Sequence, residues 1–440
     1  MIDCISQNIN AQVDYSQTPI VDQNYYKGMT SVTVQRWIAD GQKDMFCKFF
    51  KPLMDQAGGW TLYEIDDFMF DGTFVGMTEE EKTRVVEKYG DPVRCSIPRF
   101  NRGRGAFEGE RVQTNIREML NAADFVTVTT DYLRQAYHDF YGVPLENIVA
   151  VPNLLPRYLF GDRYDAKKKV EQFGRFKARP RVGIVSSLSH YNIDGVREDA
   201  KGRACRKQKR PDGEEAWVNE AKEEVPESET REIVDDIDAI LDCIRSTADD
   251  VQWVFFGYCP KKLEDLAKAG KIEVHGGVPI MNYASKFDSL NLQMVVAAIN
   301  PIGFNFCKSF IKTMECAALG VPCLATRCLP YTRVMRDSQL FSTGDELKSR
   351  IMDLKFASSG KYEKIIEQQW KWLNSETDEG DFHLRNFWLE DNMSVHTDMF
   401  RLRQKTIPVS LDFFVRQYEQ RRKADDENAI FRNENILITK

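Results

Sequence analysis

The sequence predicts an α/β protein with two Rossmann-like, doubly wound domains facing a cleft, and C-terminal helices packing across both. Three observations carry this expectation. Short apolar runs rich in β-branched and aromatic residues alternate with helical periodicity up to residue 153. The alternation restarts after a polar tract at 162–179. At 440 residues, the chain can bury two separate cores. The boundaries this implies are 1–160, 175–360 with a charged insertion at 197–229, and a helical segment at 361–440 that returns to the first domain.

In the first unit, residues 31–36 read as a strand, 43–56 as a helix, and 60–67 as a strand whose end carries Glu64, Asp66 and Asp67. An amphipathic helix at 112–123 precedes a strand at 125–129. Thr130 then opens a helix over 131–141, and 147–153 is a strand running into a turn. In the second unit strands fall at 181–187, 251–257, 271–278 and 292–300, with a helix over 233–244. Residues 305–326 read as a loop, a short helix, a Gly320-Val321-Pro322 break and a strand. Aromatic-rich helical stretches at 361–373 and 409–422 close the chain.

Hydrophobic content of 42% and aromatic content of 11% are ordinary for a globular protein. No apolar run is long enough to cross a bilayer, and the first residues do not form a signal peptide. The ten cysteines include no Cys-x-x-Cys pair and no zinc spacing, so the expectation is a reduced, cytoplasmic protein without a metal site. A net charge of −7 argues against a surface that binds nucleic acid all over. The charge is uneven, however. Residues 197–210 are basic and 212–229 acidic around Trp217, which reads as a solvated, mobile loop. Because it leaves the end of the 181–187 strand, its Arg203, Arg206, Lys207 and Lys209 would border the cleft and suit a polyanionic acceptor such as DNA.

Ligands of open parallel sheets bind beyond the carboxyl ends of strands, so the polar residues there are the candidates. Ser186 and Ser187 can hold a diphosphate through hydroxyls and amides, and His190 can donate to it; a serine-rich turn with a surface histidine would look the same. Lys308, Ser309 and Lys312 open the short helix, where exposed N–H groups and the dipole favour phosphate. Glu315, a turn further in, can accept hydrogen bonds from paired sugar hydroxyls. A helix start with solvated lysines and a capping serine is the alternative reading. Gly276 and Gly277 permit close backbone approach, as would a plain turn. Asp66 or Asp67 can take a proton from an acceptor hydroxyl, or cap the next helix. With His190 they are the candidate catalytic residues. Arg99, Arg102 and Arg104 lie on one loop of the first unit.

The 305–322 segment, Asn-Phe-Cys-Lys-Ser-Phe-Ile-Lys-Thr-Met-Glu-Cys-Ala-Ala-Leu-Gly-Val-Pro, resembles the donor motif of GT-B-fold glycosyltransferases of the family-four type. Its Phe-x-Lys-Ser-x-Ile-Lys variant is similar to a subgroup associated with bacteriophages and bacterial glycan clusters. The resemblance covers roughly residues 30–330 and is strongest over 295–326. It implies retaining transfer of a sugar from a nucleoside-diphosphate donor, UDP-linked, to a hydroxyl, with no bound metal and no cofactor beyond that co-substrate. In the family, two glutamates are separated by seven residues. The second holds the nucleotide ribose, and Glu315 falls there. The first touches the donor sugar, and here that position is Cys307, so sugar recognition does not carry over. The Ser186–His190 loop is similar to the subgroup's diphosphate loop, and Gly276-Gly277 stands where the family meets the nucleobase. The first unit becomes the acceptor side, with Arg99, Arg102 and Arg104 as acceptor contacts. Phage-type relatives imply a hydroxymethylated pyrimidine in DNA as acceptor, flipped from the duplex. An envelope or capsular glycan is the alternative. Cys307 also leaves open an inactive nucleotide- or DNA-binding protein on the same scaffold.

Overall fold

The computed structural model describes residues 13–16, 23–26, 29, 31–90, 96, 98, 109–210, 212–392 and 435–439. Arg99, Arg102, Arg104 and the helix expected at 409–422 lie outside the described residues.

The first domain contains strands β1 (Val13–Ser16), β2 (Ser31–Gln35), β3 (Trp60–Glu64), β4 (Phe125–Val128) and β5 (Ile148–Ala150). Strands β2 to β5 are consecutive parallel neighbours. Their apolar residues are buried on both faces, as a parallel sheet covered by helices requires. Helices α1 (Glu110–Ala122) and α2 (Asp131–Tyr141) cover the sheet. The Thr130 side chain caps α2 by accepting from the Leu133 N–H, as its sequence position suggests.

The second domain starts with β6 (Arg181–Ser186). The insertion follows, as β7 (Arg197–Glu198), β8 (Ala204–Lys209), β9 (Glu215–Asn219), β10 (Glu224–Val225) and β11 (Arg231–Glu232). The sheet then continues with β12 (Gln252–Gly257), β13 (Ile272–Gly276), β14 (Met294–Ala297), β15 (Cys323–Thr326) and β16 (Leu340–Phe341). Its order is β13-β12-β6-β14-β15-β16, all parallel. Successive strands step one way from β6 and then the other, so the strand order reverses beside β6 and β14. A crevice opens at such a switch point. Helices α3 (Ile280–Ser289), α4 (Ile311–Ala318), α5 (Gly344–Lys355) and α6 (Ser359–Leu373) pack around this sheet. Gly320 ends α4 with φ +63°, and a Cβ there would meet the Tyr164 ring at 2.5 Å, so both backbone and space demand glycine.

One apolar cluster runs through both domains. It joins Leu62, Phe125 and Val149 of the first sheet to Val254, Val295 and Met314 of the second, through Phe387 and Trp388. The hairpin of β17 (Thr377–Glu379) and β18 (Phe382–Leu384) adds a polar clasp. Its Asp381 accepts from Arg134 Nη1 at 2.7 Å and from the Ala150 N–H at 2.9 Å. Strand β19 (Asn435–Thr439) lies antiparallel between β1 and β2. The final segment is therefore helix, hairpin and strand in its described parts, where helices alone were expected.

Three further expectations need correction. The 162–179 linker contains a helix, Ala166–Phe176, with Phe173 stacked on Tyr362 of α6 at 4.2 Å between centroids. The helix placed at 233–244 is a short turn, Asp238–Ile240, followed by Leu241–Thr247. The insertion is no loop: β7 to β11 form a five-stranded antiparallel sheet, order β10-β9-β8-β7-β11.

Candidate active site

A cavity of about 240 Å³ lies between the domains, at the carboxyl ends of β6 and β14 and facing those of β3, β4 and β5. Asp66, Asp67, Ser186, His190, Lys308, Ser309 and Lys312 line it together. Ser187, Gly276, Gly277 and Glu315 lie outside its lining. Arg203, Arg206, Lys207 and Lys209 are on the insertion and also outside it.

On the first domain, Asp66 and Asp67 do not cap a helix. Both pair with Arg36, whose Nη2 reaches Asp67 at 2.5 Å and whose Nε reaches Asp66. Burial lowers the Arg36 pKa, but the two carboxylates outweigh it and hold the guanidinium charged. The Arg36 backbone is left-handed, φ 50°, which is uncommon for a residue with a side chain and is a kind of strain often kept at functional sites. The motif reading missed Arg36, although strand order gives it away: it follows β2, the parallel neighbour of β3. Glu64, the third carboxylate of this strand end, borders a separate cavity of about 160 Å³ that shares Asp66, Thr129 and Asn153 with the main one. Burial, with Asp66 nearby, pushes Glu64 up to about 7.

On the second domain, His190 is held by a partner the sequence did not reveal. Its Nδ1 lies 2.7 Å from Asp236 Oδ2. The other oxygen of Asp236 accepts from the Asn300 N–H at 2.7 Å and from Asn305 Nδ2 at 3.1 Å. Asp236 is thus satisfied on both oxygens and fixes the imidazole, in the manner of carboxylates that orient catalytic histidines. It stood hidden in the acidic run Asp235-Asp236-Ile237-Asp238, which resembles an ordinary helix start. Burial pushes neighbouring Asp235 up to about 6 against the Asn192 N–H and Lys262. The Ser186 hydroxyl is bonded to Tyr191.

Helix α4 begins at Ile311, and no side chain caps its start, so Ser309 is not the cap. Instead the Ser309 hydroxyl accepts from Asn153 Nδ2 of the first domain at 2.8 Å. Lys308 lies over the Phe304 ring, 5.0 Å from its centroid, and has no ion-pair partner among the described residues. Lys312 is engaged: it donates to Glu315 Oε2 at 2.6 Å and to the Tyr283 hydroxyl at 2.8 Å, and Tyr283 donates to Glu315 at 2.9 Å. Glu315 is only 8% exposed and sits one step behind the cavity wall.

Cys307 is 1% exposed and packs within the apolar cluster of the first domain. Its carbonyl accepts from the Thr130 hydroxyl at 3.0 Å. This position thus serves the domain contact, which accounts for a small apolar side chain there.

Among the described residues, no group of His, Cys, Asp and Glu could hold a metal ion, and no helix is long and apolar enough to cross a membrane.

No family model matches this sequence, and no curated protein matches it. Solved structures with a similar chain include the catalytic domain of starch synthase IV from Arabidopsis thaliana bound to ADP and acarbose, at 10% identity, 88% of this chain, 72% of that chain and TM-score 0.48. Anabaena Alr3699/HepE in complex with UDP-glucose is 11% identical, with 84% and 99% covered and TM-score 0.43. A glycosyltransferase from Rickettsia africae ESF-5 is 10% identical, with 86% and 98% covered and TM-score 0.39. At such scores the assignment of two parallel α/β domains rests on the strand order of this chain itself.

Proposed function

We propose that this chain is a glycosyltransferase that moves a sugar from a nucleoside-diphosphate donor to a hydroxyl of an acceptor bound on the first domain. The observation that carries the reading is the gathering, at a strand-order switch point, of a Lys308 without an ion-pair partner among the described residues, an uncapped helix start and an Asp236-held His190 opposite the Arg36-bound carboxylates. Lys308 and the first N–H groups of α4 meet the diphosphate charge that grows as the sugar leaves. His190 donates to the same oxygens. Asp66 or Asp67, on the facing side, is placed for the acceptor's proton. Glu315, already an acceptor for Tyr283 and Lys312, takes the ribose hydroxyls once Lys312 turns towards phosphate.

For the acceptor we favour a neutral glycan hydroxyl over hydroxymethylated pyrimidine in DNA. The basic tract that suited DNA is largely neutralised within its own sheet. Arg203 pairs with Asp199 and Glu223 at 2.7 Å each, Arg210 with Glu224, and Lys207 with Glu215 at 3.9 Å. Mass spectrometry of reactions pairing several nucleotide sugars with glycan acceptors and with hydroxymethylated DNA tests both choices. A single hexose or pentose increment on a glycan is expected. An increment on DNA alone reverses the choice of acceptor, and absence of both transfer and donor hydrolysis identifies an inactive scaffold.

A further inference from the structure

A second cavity, of about 270 Å³, lies on the far side of α4 from the cleft, between α4, β15, α5 and α6. Leu324, Met335, Leu354 and Ile365 give it apolar walls. Two residues of its lining each carry a buried polar atom without a hydrogen-bond partner among the described residues. Gln369 is 6% exposed; its Nε2 donates to the Val321 carbonyl at 3.4 Å, but its Oε1 has no partner among the described residues. Arg350 holds Glu346 at 3.3 Å through Nη2, while its Nε is buried without a partner among the described residues. One is an acceptor lacking a donor and the other a donor lacking an acceptor, a combination native interiors rarely leave unfilled. The cavity is also cationic. Arg336 donates to a neutral group, Gln368, at 2.6 Å, and Lys361 has no ion pair among the described residues. Asp353 is the one carboxylate among the described residues of the lining.

We infer that this cavity is a second binding site, for a small amphipathic carboxylate that also carries a hydroxyl, and that its occupancy is linked to the cleft. The apolar body packs on Leu324 and Leu354, the carboxylate meets Lys361 and Arg336, and the hydroxyl donates to Gln369 once its buried carboxamide turns into the space. The link is structural. Thr313 lines this cavity, while Lys312 lines the cleft from the adjacent position of α4. The turn at 331–335 spans both as well, with Tyr331 on the cleft and Met335 on the cavity. A ligand that shifts this shared wall alters donor affinity, and the donor must alter its affinity by the same factor.

Calorimetric titration of the full chain with 3-(4-hydroxyphenyl)propanoate tests the site, with its methyl ester and 3-phenylpropanoate as controls. Saturable binding is expected, weakened about tenfold by loss of the charge or of the hydroxyl. Lys361→Met, at the surface, should cause a similar loss without changing the melting temperature, and Leu354→Trp should fill the space and abolish binding. Absence of saturable binding, equal binding of the ester, or wild-type binding by the Lys361→Met chain overturns the site. Titrating UDP with and without saturating probe tests the link, which rests on the reading of the cleft as a diphosphate site. An unchanged UDP affinity overturns the link. If UDP binds under neither condition, the reading of the cleft falls, while the probe titration still decides the cavity.

Discussion

Replacing Glu315 by alanine should both weaken donor binding and destabilise the fold, and the two effects can be separated. The Lys312 and Glu315 side chains are 19% and 11% exposed, and their charged atoms lie 2.6 Å apart. Burial alone would lower the Lys312 pKa, yet Glu315 and Tyr283 raise it, so the ammonium depends on them for its charge. Two unit charges at that distance attract by about 6 kcal/mol at an effective dielectric constant near 20, an upper bound before desolvation. Removing one partner of a buried pair typically costs about 3–5 kcal/mol. Because Lys312 also lines the open cleft and can reach water, a loss of roughly 2–4 kcal/mol is expected for Glu315→Ala. Urea unfolding of wild type, Glu315→Ala, Lys312→Met and the double variant reads this directly. The double variant should recover much of the loss, with a coupling of about 1.5–3 kcal/mol. Glu315→Gln keeps the volume and isolates the ribose role. Each charge-assisted bond to a hydroxyl contributes about 1.5–3 kcal/mol, so nucleoside affinity should fall at least about tenfold. A Glu315→Ala chain as stable as wild type would refute the coupling, and normal nucleoside affinity in folded Glu315→Gln would refute the ribose assignment.

Lys308→Met should weaken UDP binding about tenfold or more while leaving uridine nearly unaffected, since the lost contact is to phosphate; equal losses by calorimetry would place Lys308 elsewhere. Asp236→Asn should lower kcat about a hundredfold by releasing His190, and adding His190→Gln should cost little more; additive losses in steady-state kinetics would show that the two act independently. Glu64→Gln should change the dependence of stability on pH. The folded pKa, about 7, exceeds the ordinary 4.5, so the folded chain holds this proton more tightly and ionisation penalises folding progressively as pH rises between those values. The variant should match wild type at pH 4 and exceed it at pH 8 by at most about 3 kcal/mol, reduced by the solvent that reaches the cavity. A gain confined to acid pH would contradict this sign.

The strand ends were legible because parallel strands buried on both faces are apolar runs with abrupt polar ends, as at Ser186 and Asp66. The same logic pointed to His190, whereas Lys308 and Lys312 were read from the helix start they open, and no contact among the three is visible in sequence. The insertion was not legible as a sheet. Its strands are held by charges set across from each other, such as Lys209 opposite Glu215, with Trp217 between Arg197 and Lys207. That pattern has no apolar alternation. The signal present was local: Asp212-Gly213 is a hairpin turn pair, and Gly213 has φ +91°. Arg36 and Asp236 were missed for a different reason. Each acts by answering a charge on another strand end or loop, and such partners are fixed by topology rather than by spacing along the chain.

Those two residues decide the electrostatics of the cleft. Arg36 answers Asp66 and Asp67, Asp236 holds His190, and Glu315 answers Lys312. Of the cleft's lysines, Lys308 is the one whose charge no carboxylate among the described residues meets. A diphosphate entering the cleft therefore finds one ready cation and an uncapped helix start, and a second cation that must first leave Glu315. If Lys312 turns to phosphate, Glu315 loses its charged donor and keeps the Tyr283 hydroxyl, and ribose hydroxyls take the place of the ammonium. The two halves of a nucleotide would then be bound by one exchange of partners on α4. On this arrangement a nucleoside alone competes with Lys312 for Glu315, a diphosphate alone strips Lys312 from it, and only the intact nucleotide satisfies both. The affinity of UDP should therefore exceed what uridine and pyrophosphate predict separately, and in Lys312→Met that excess should disappear.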